Sequence, residues 1–179
     1  MKIPAHKTTI MVHCLATTKA WGMGKPIKAI MKEVTRWHVV DRGWSAVAYA
    51  VILGYGGERA LGRDIDGDGD VYEETGAGAR GWNKNTIHIA LVGGYGGHRD
   101  DEFGKHFTPE QDVALRAEIA RIEKLAGRSL NLMGHNEVAN KACPCFNVRK
   151  WYESAPPMPV TPKPTGLLAF MLKLLGGVK

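Results

Sequence analysis

The chain is short of several features that would set its class at once. Its 179 residues include only three cysteines, Cys14, Cys143 and Cys145. That is an odd number, with two of them flanking one proline, so a disulfide framework is not expected and free thiols or a metal site fit better. Aromatic residues make up 8%, although five of them are tryptophan. No apolar run is long enough to cross a bilayer. Leu167 to Leu175 is interrupted by Lys173, and as a helix it would extend roughly 14 Å against about 30 Å of hydrocarbon. The opening residues, Met1 to Thr9, carry Lys2, His6 and Lys7 but no seven-residue apolar stretch, so no secretory signal is expected and the chain is expected to begin in a cytoplasm. Acidic residues are also in deficit. Lysine and arginine number 24 against 18 aspartates and glutamates, a net charge of +6 that favours anionic polymers or lipid head groups as partners. The basic residues are dispersed and not interleaved with stacking aromatics, so a nucleic-acid partner is not expected.

What is present is ordinary for a globular domain: 44% hydrophobic and 23% charged residues, with 22 glycines that follow no three-residue period. Thr8 to Cys14 reads as a buried strand, with Ile10, Val12 and Cys14 on one face and Met11 and His13 on the other. Pro26 opens a helix in which Ile27, Ile30, Met31, Val34 and Trp37 recur at helical spacing until Gly43. Val47 to Leu53 and Ile87 to Val92 have the look of interior strands. Thr108-Pro109-Glu110-Gln111 has the form of a capping box for a helix reaching Gly127, and Leu130 to Met133 makes one more short strand. This alternation predicts an α/β domain with a mixed central sheet flanked by helices. We place the domain at residues 1–155, a proline-rich linker at 156–165 and a basic hydrophobic tail at 166–179. In the tail, Leu167, Leu168, Met171, Leu172 and Leu175 share one helical stripe, suited either to an anionic membrane surface or to docking on the domain.

The densest chemistry lies between Gly134 and Cys145. His135 and Cys143 are eight residues apart on a loop following a strand, and His13 sits near the end of another strand. Neighbouring strands bring their ends within about 5 Å, so His13, His135 and Cys143 are candidate ligands of one zinc ion, with the fourth tetrahedral position left for a catalytic role. Cys145, Cys14 and His88 are rival donors, the latter two with plainer readings as sheet residues.

Several motifs, in order, carry a likeness: Val12-His13-Cys14-Leu15-Ala16-Thr17, Trp37-His38, Gly43-Trp44, Ala48-Tyr49, Leu61-Gly62-Arg63, Gly81-Trp82-Asn83, Ile89-Ala90-Leu91-Val92-Gly93-Gly94, Phe107-Thr108-Pro109-Glu110-Gln111, His135, Glu137-Val138, Lys141-Ala142-Cys143-Pro144 and Phe146. Over residues 8 to 153 the chain resembles the zinc-dependent N-acetylmuramoyl-L-alanine amidases of type 2. These include small phage lysozymes and share a fold with animal peptidoglycan recognition proteins. The resemblance implies that His13, His135 and Cys143 hold zinc and that Tyr49 and Lys141 are catalytic. Lys141, two residues before Cys143, would in an extended stretch face the same side and stabilise the oxyanion of amide hydrolysis. Tyr49, read as a strand residue, would hydrogen-bond the reacting water or the tetrahedral species.

The expected activity is hydrolysis of the amide joining N-acetylmuramic acid to the L-alanine of the peptide stem, by a phage endolysin that folds in the host cytoplasm and acts on the wall. Rival readings are a protein that binds peptidoglycan without cutting it, a regulator of the phage RNA polymerase, and a zinc peptidase cutting farther down the stem. One departure stands out: relatives often carry a histidine in the small-residue stretch before Gly81-Trp82-Asn83, where this chain has Gly78. Finally, Asp64, Asp66, Asp68 and Asp70 have the alternate spacing of a calcium loop, although Thr75 stands where a bidentate glutamate is expected.

Overall fold

The computed structural model describes residues 2–154; the expected linker at 156–165 and tail at 166–179 lie outside the described residues. Five strands, β1 (Thr9–Cys14), β2 (Val51–Leu53), β3 (Arg59–Leu61), β4 (Thr86–Leu91) and β5 (Asn131–Gly134), form one sheet in the order β3-β2-β4-β1-β5. β1 lies between β4 and β5 and runs parallel to both; β2 is parallel to β4, and the edge strand β3 is antiparallel. All six residues of β1 and of β4 are buried. This is why their apolar character is nearly continuous, as a strand covered on both faces requires.

The covering helices are α1 (Lys19–Gly22), α2 (Ile27–Thr35), α3 (Phe103–His106), α4 (Pro109–Ala126) and α5 (Val148–Glu153). On one face Ile10, Val12, Val51, Leu53, Ile87, Ile89 and Leu91 meet Leu115, Ile119 and Ile122 of α4 and Trp151 of α5. On the other, Ile52 and Ala90 meet Ile30 and Val34 of α2, and Met11 and Met133 meet Ala79. Each large aliphatic side chain so buried contributes about 1.5–3 kcal/mol. The mixed sheet flanked by helices is the architecture expected from the sequence.

The expected cap of α4 is present. The Thr108 hydroxyl accepts from the Gln111 backbone N–H, the Gln111 side chain accepts from the Thr108 N–H, and Gly127 at φ 65 closes the helix in the left-handed region. The helix following Pro26 changes pitch before Gly43: Arg36–Val40 is a π-turn in which the Asp41 N–H reaches the Arg36 carbonyl, and it carries His38 into the interior.

The strand expected over Val47 to Leu53 is shorter than its composition suggests. Only Val51–Leu53 is regular, because the preceding backbone is bonded elsewhere. The Ala48 N–H donates to His38 Nδ1, the Ala48 carbonyl accepts from Ala77, and the Val47 carbonyl accepts from Arg63. Tyr49 therefore stands just ahead of β2 rather than inside a strand. β3, with one half-buried residue between two exposed ones, is too short to give a signal in the sequence.

Candidate metal centre

Three donors converge at the carboxyl end of the parallel strands. His13 is the penultimate residue of β1, and His135 begins the short 3-10 turn that follows β5. Parallel pairing of β1 with β5 sets Val12 opposite Gly134 and so brings the two histidines together. Their ring centroids are 4.6 Å apart. Cys143 arrives from the loop beyond, with Sγ 3.8 Å from His13 Nδ1. One ligand atom from each of the three residues lies within 4.8 Å of the others.

This set fits zinc by its chemistry. Two imidazole nitrogens and a sulfur are a zinc donor set, and in a tetrahedron with bonds of about 2.1 and 2.3 Å a nitrogen and a sulfur sit roughly 3.6 Å apart, close to the observed separation. Metal binding needs neutral imidazole, and the surroundings supply it. His13 is held well below its ordinary pKa by burial, then by His88, His135 and Lys141; His135 is lowered by burial and then by Lys141. The backbone N–H of Cys14 donates to Cys143 Sγ, the kind of contact that favours sulfur carrying negative charge.

Among the described residues none of the rival donors joins this three-residue set. Cys145, buried at φ 75, turns its Sγ to the Gly94 carbonyl at 3.2 Å and to Cys14 Sγ at 3.7 Å. Cys14 faces the α4 side of the sheet, and its hydrogen bond with Cys143 pushes its pKa up to about 12. His88, one strand over on β4, is buried behind His13, with its Nδ1 2.9 Å from His13 Nε2.

Tyr49 and Lys141 flank the donors. The Tyr49 ring centroid is 5.2 Å from that of His13 and packs edge-on against His38, 5.6 Å away, which itself stacks on Trp44. Burial, followed by the neighbouring thiols of Cys143 and Cys14, raises the Tyr49 pKa, so the phenol keeps its proton. Lys141 is exposed, and its charge lies near enough to His13 and His135 to disfavour their protonation. The extended stretch expected around Lys141 is instead a series of turns and bends, since the chain doubles back there: Lys141 bonds to Ala139 and Cys145 to Ala142.

An open cleft that begins at Leu15, two residues after His13, is lined also by Trp21, Trp37, Asp41, Arg42 and Tyr95, which the sequence did not mark as neighbours. Neither this cleft nor a more enclosed hollow under Phe103, Phe107 and Trp151 has any of the three donors in its lining. In the acidic loop the grouping differs from the expected alternate aspartates. Oxygens of Asp64, Asp66 and Glu74, and of Asp66, Asp68 and Glu73, come within 4.8 Å, while Asp70 joins neither group. Much of this carboxylate capacity caps the loop's own backbone: Asp64 accepts from Gly67 and Gly69, Asp68 from Asp70, and Asp70 from Tyr72.

Comparison with known proteins places the chain in a family. The family model described as N-acetylmuramoyl-L-alanine amidase matches residues 6–146. The endolysin of Escherichia phage T7 is 35% identical over 147 residues, covering 80% of this chain and 84% of that protein. The endolysin of Klebsiella phage KP32 is 33% identical over 144 residues, covering 80% and 84%. Among solved structures, the bumblebee peptidoglycan recognition protein PGRP-SA superposes with a TM-score of 0.66 at 15% identity, covering 89% of this chain and 88% of that one, a likeness of fold. The chain thus belongs to the N-acetylmuramoyl-L-alanine amidase family, alongside the phage endolysins.

Proposed function

We propose that this amidase works with zinc held by His13 Nδ1, His135 and Cys143 Sγ, and that its substrate bond is the amide between the lactyl group of N-acetylmuramic acid and the L-alanine of the peptidoglycan stem. The observation that carries the reading is the convergence of two imidazoles and one sulfur within 4.8 Å at the carboxyl end of the parallel strands. Zinc, when bound, supplies a Lewis acid that brings the ionisation of water to near neutral pH and polarises a carbonyl.

The chain's own groups supply the rest. Lys141 presents its ammonium to the carbonyl oxygen as negative charge develops there. Tyr49, protonated and fixed by the His38 and Trp44 rings, donates a hydrogen bond at the reacting centre. Water adds to the carbonyl carbon, the C–N bond breaks, and the alanine nitrogen leaves as an amine after taking a proton. Trp21, Trp37 and Tyr95 in the adjoining cleft offer faces to the sugar and stem. The reading includes residence in the host cytoplasm until lysis, which fractionation of infected cells checks.

Mass spectrometry of digested peptidoglycan tests the activity. Stem peptides with a free L-alanine amine, lost on chelation and restored by zinc, are expected. Cleavage within the stem, or undiminished release in chelator, overturns it.

A further inference from the structure

One buried histidine has no part in the mechanism above. His88 is 1% exposed and lies at the centre of β4. The parallel register sets it opposite Met11 and sets His13 opposite Ala90. His88 and His13 are therefore diagonal neighbours on one face of the sheet, within reach for long or aromatic side chains. The two rings meet: His88 Nδ1 is 2.9 Å from His13 Nε2, with centroids 5.1 Å apart.

The backbone is shaped around this pair. A Cβ at Gly78 would stand 2.7 Å from His88 Nδ1 and 3.1 Å from His13 Nε2, and one at Gly76 would stand 2.3 Å from His88 Cδ2. Neither glycine has a positive φ, so what both positions require is the absence of a side chain. The His88 ring fills the space that any residue at position 78 would otherwise enter.

Protons in this pair follow from the metal. Nδ1 of His13 is the nitrogen turned to Cys143; a neutral ring that offers Nδ1 to a metal must carry its hydrogen on Nε2. That hydrogen then points at His88 Nδ1, which accepts it. The remaining hydrogen of His88 sits on Nε2, which is buried and has no partner among the described residues. An orphaned buried N–H costs about 1–3 kcal/mol, and an apolar residue would fill the space without that cost. A histidine at this position therefore needs a compensating role.

We propose that His88 is the positioning residue of the metal centre: by accepting the His13 Nε2–H it fixes the ring and tautomer that aim Nδ1 at Cys143 and His135. This rests on the zinc reading above. Metal-bound histidines ordinarily give their second N–H to a carboxylate, carbonyl or water. Here a second imidazole, from the neighbouring strand, takes that place.

The test uses the zinc-loaded full chain. Zinc affinity is measured by competition with a chromophoric chelator in the wild type, His88→Leu and His88→Asn, whose side-chain oxygen falls near the position of Nδ1. Loss of such a partner costs 10–100-fold in affinity. That loss is expected in His88→Leu, with most of it recovered in His88→Asn. Nitrogen NMR of the loaded wild type should show scalar coupling between His13 Nε2 and His88 Nδ1. Equal affinity in all three proteins, no advantage of asparagine over leucine, or no coupling overturns the inference while leaving the zinc reading intact. Should His88→Leu fail to fold, the coupling and the asparagine variant decide. A wild type that takes up no zinc at all overturns the reading itself, and the inference with it.

Discussion

At the scale of single residues, the two thiols flanking Pro144 differ only by where the turn aims them. Cys143 Sγ lies 3.8 Å from His13 Nδ1, whereas Cys145 Sγ is directed to Gly94. Cys143→Ser is therefore expected to abolish stoichiometric zinc, with activity falling at least a hundredfold, and Cys145→Ser to retain it; metal analysis after gel filtration checks both. Comparable zinc loss in the two variants would contradict the assignment. His38 supports a pH prediction. Burial, and then Arg42, hold its pKa at about 4 against an ordinary 6.5, and its neutral Nδ1 accepts from Ala48. Because the folded value lies below the unfolded one, the stability tied to the neutral ring is complete above pH 6.5 and is lost as the pH falls toward 4. Thermal unfolding in chelator should show a steeper loss between pH 7 and 4.5 for the wild type than for His38→Phe. Parallel losses would remove His38 from the acid response.

At the scale of elements, α4 is tied to the sheet by polar bonds as well as by its apolar face. Gln111 is fully buried, and its side-chain nitrogen donates to the carbonyls of Leu53 and Val92. Gln111→Ala is expected to cost about 1–3 kcal/mol, read as a lower urea midpoint. A change under about 0.5 kcal/mol, the usual range for a surface substitution, would show that water replaces the amide. Farther along, Glu118 accepts from Arg59 of β3 and from the Tyr72 hydroxyl, which anchors the edge strand. These elements also show what could be read in advance. β1, β4, β5 and α4 were legible because burial on both faces or a capping box leaves a local imprint. β3 was not, since three residues at an exposed sheet edge carry too little apolar pattern, nor was the irregular stretch before β2, since its hydrogen bonds go to His38, Arg63 and Ala77, partners that only the tertiary fold assembles. His13, His135 and Cys143 were readable by residue type and motif. The His13–His88 contact was not, because it depends on the register between β1 and β4.

At the scale of the molecule, the three candidate metal donors come from the beginning and the end of the described residues. A ligand that binds only the folded state stabilises it, by about 2.7 kcal/mol at a concentration a hundred times its dissociation constant. For a domain of this length each kcal/mol moves the midpoint by roughly 2–4 °C. Chelation should thus lower Tm by about 5–10 °C, and zinc should restore it; an unchanged Tm would mean that the ion adds nothing to folding.

β1 is made first, yet both of its neighbours come late, β4 from residue 86 and β5 from residue 131, and its histidine waits 130 positions for Cys143. A nascent polypeptide still on the ribosome therefore exposes an unpaired central strand and owns at most two of its three donors. If the three donors hold zinc as proposed, a product truncated before Cys143 is expected to be inert toward the wall, and its open strand is a site prone to aggregate.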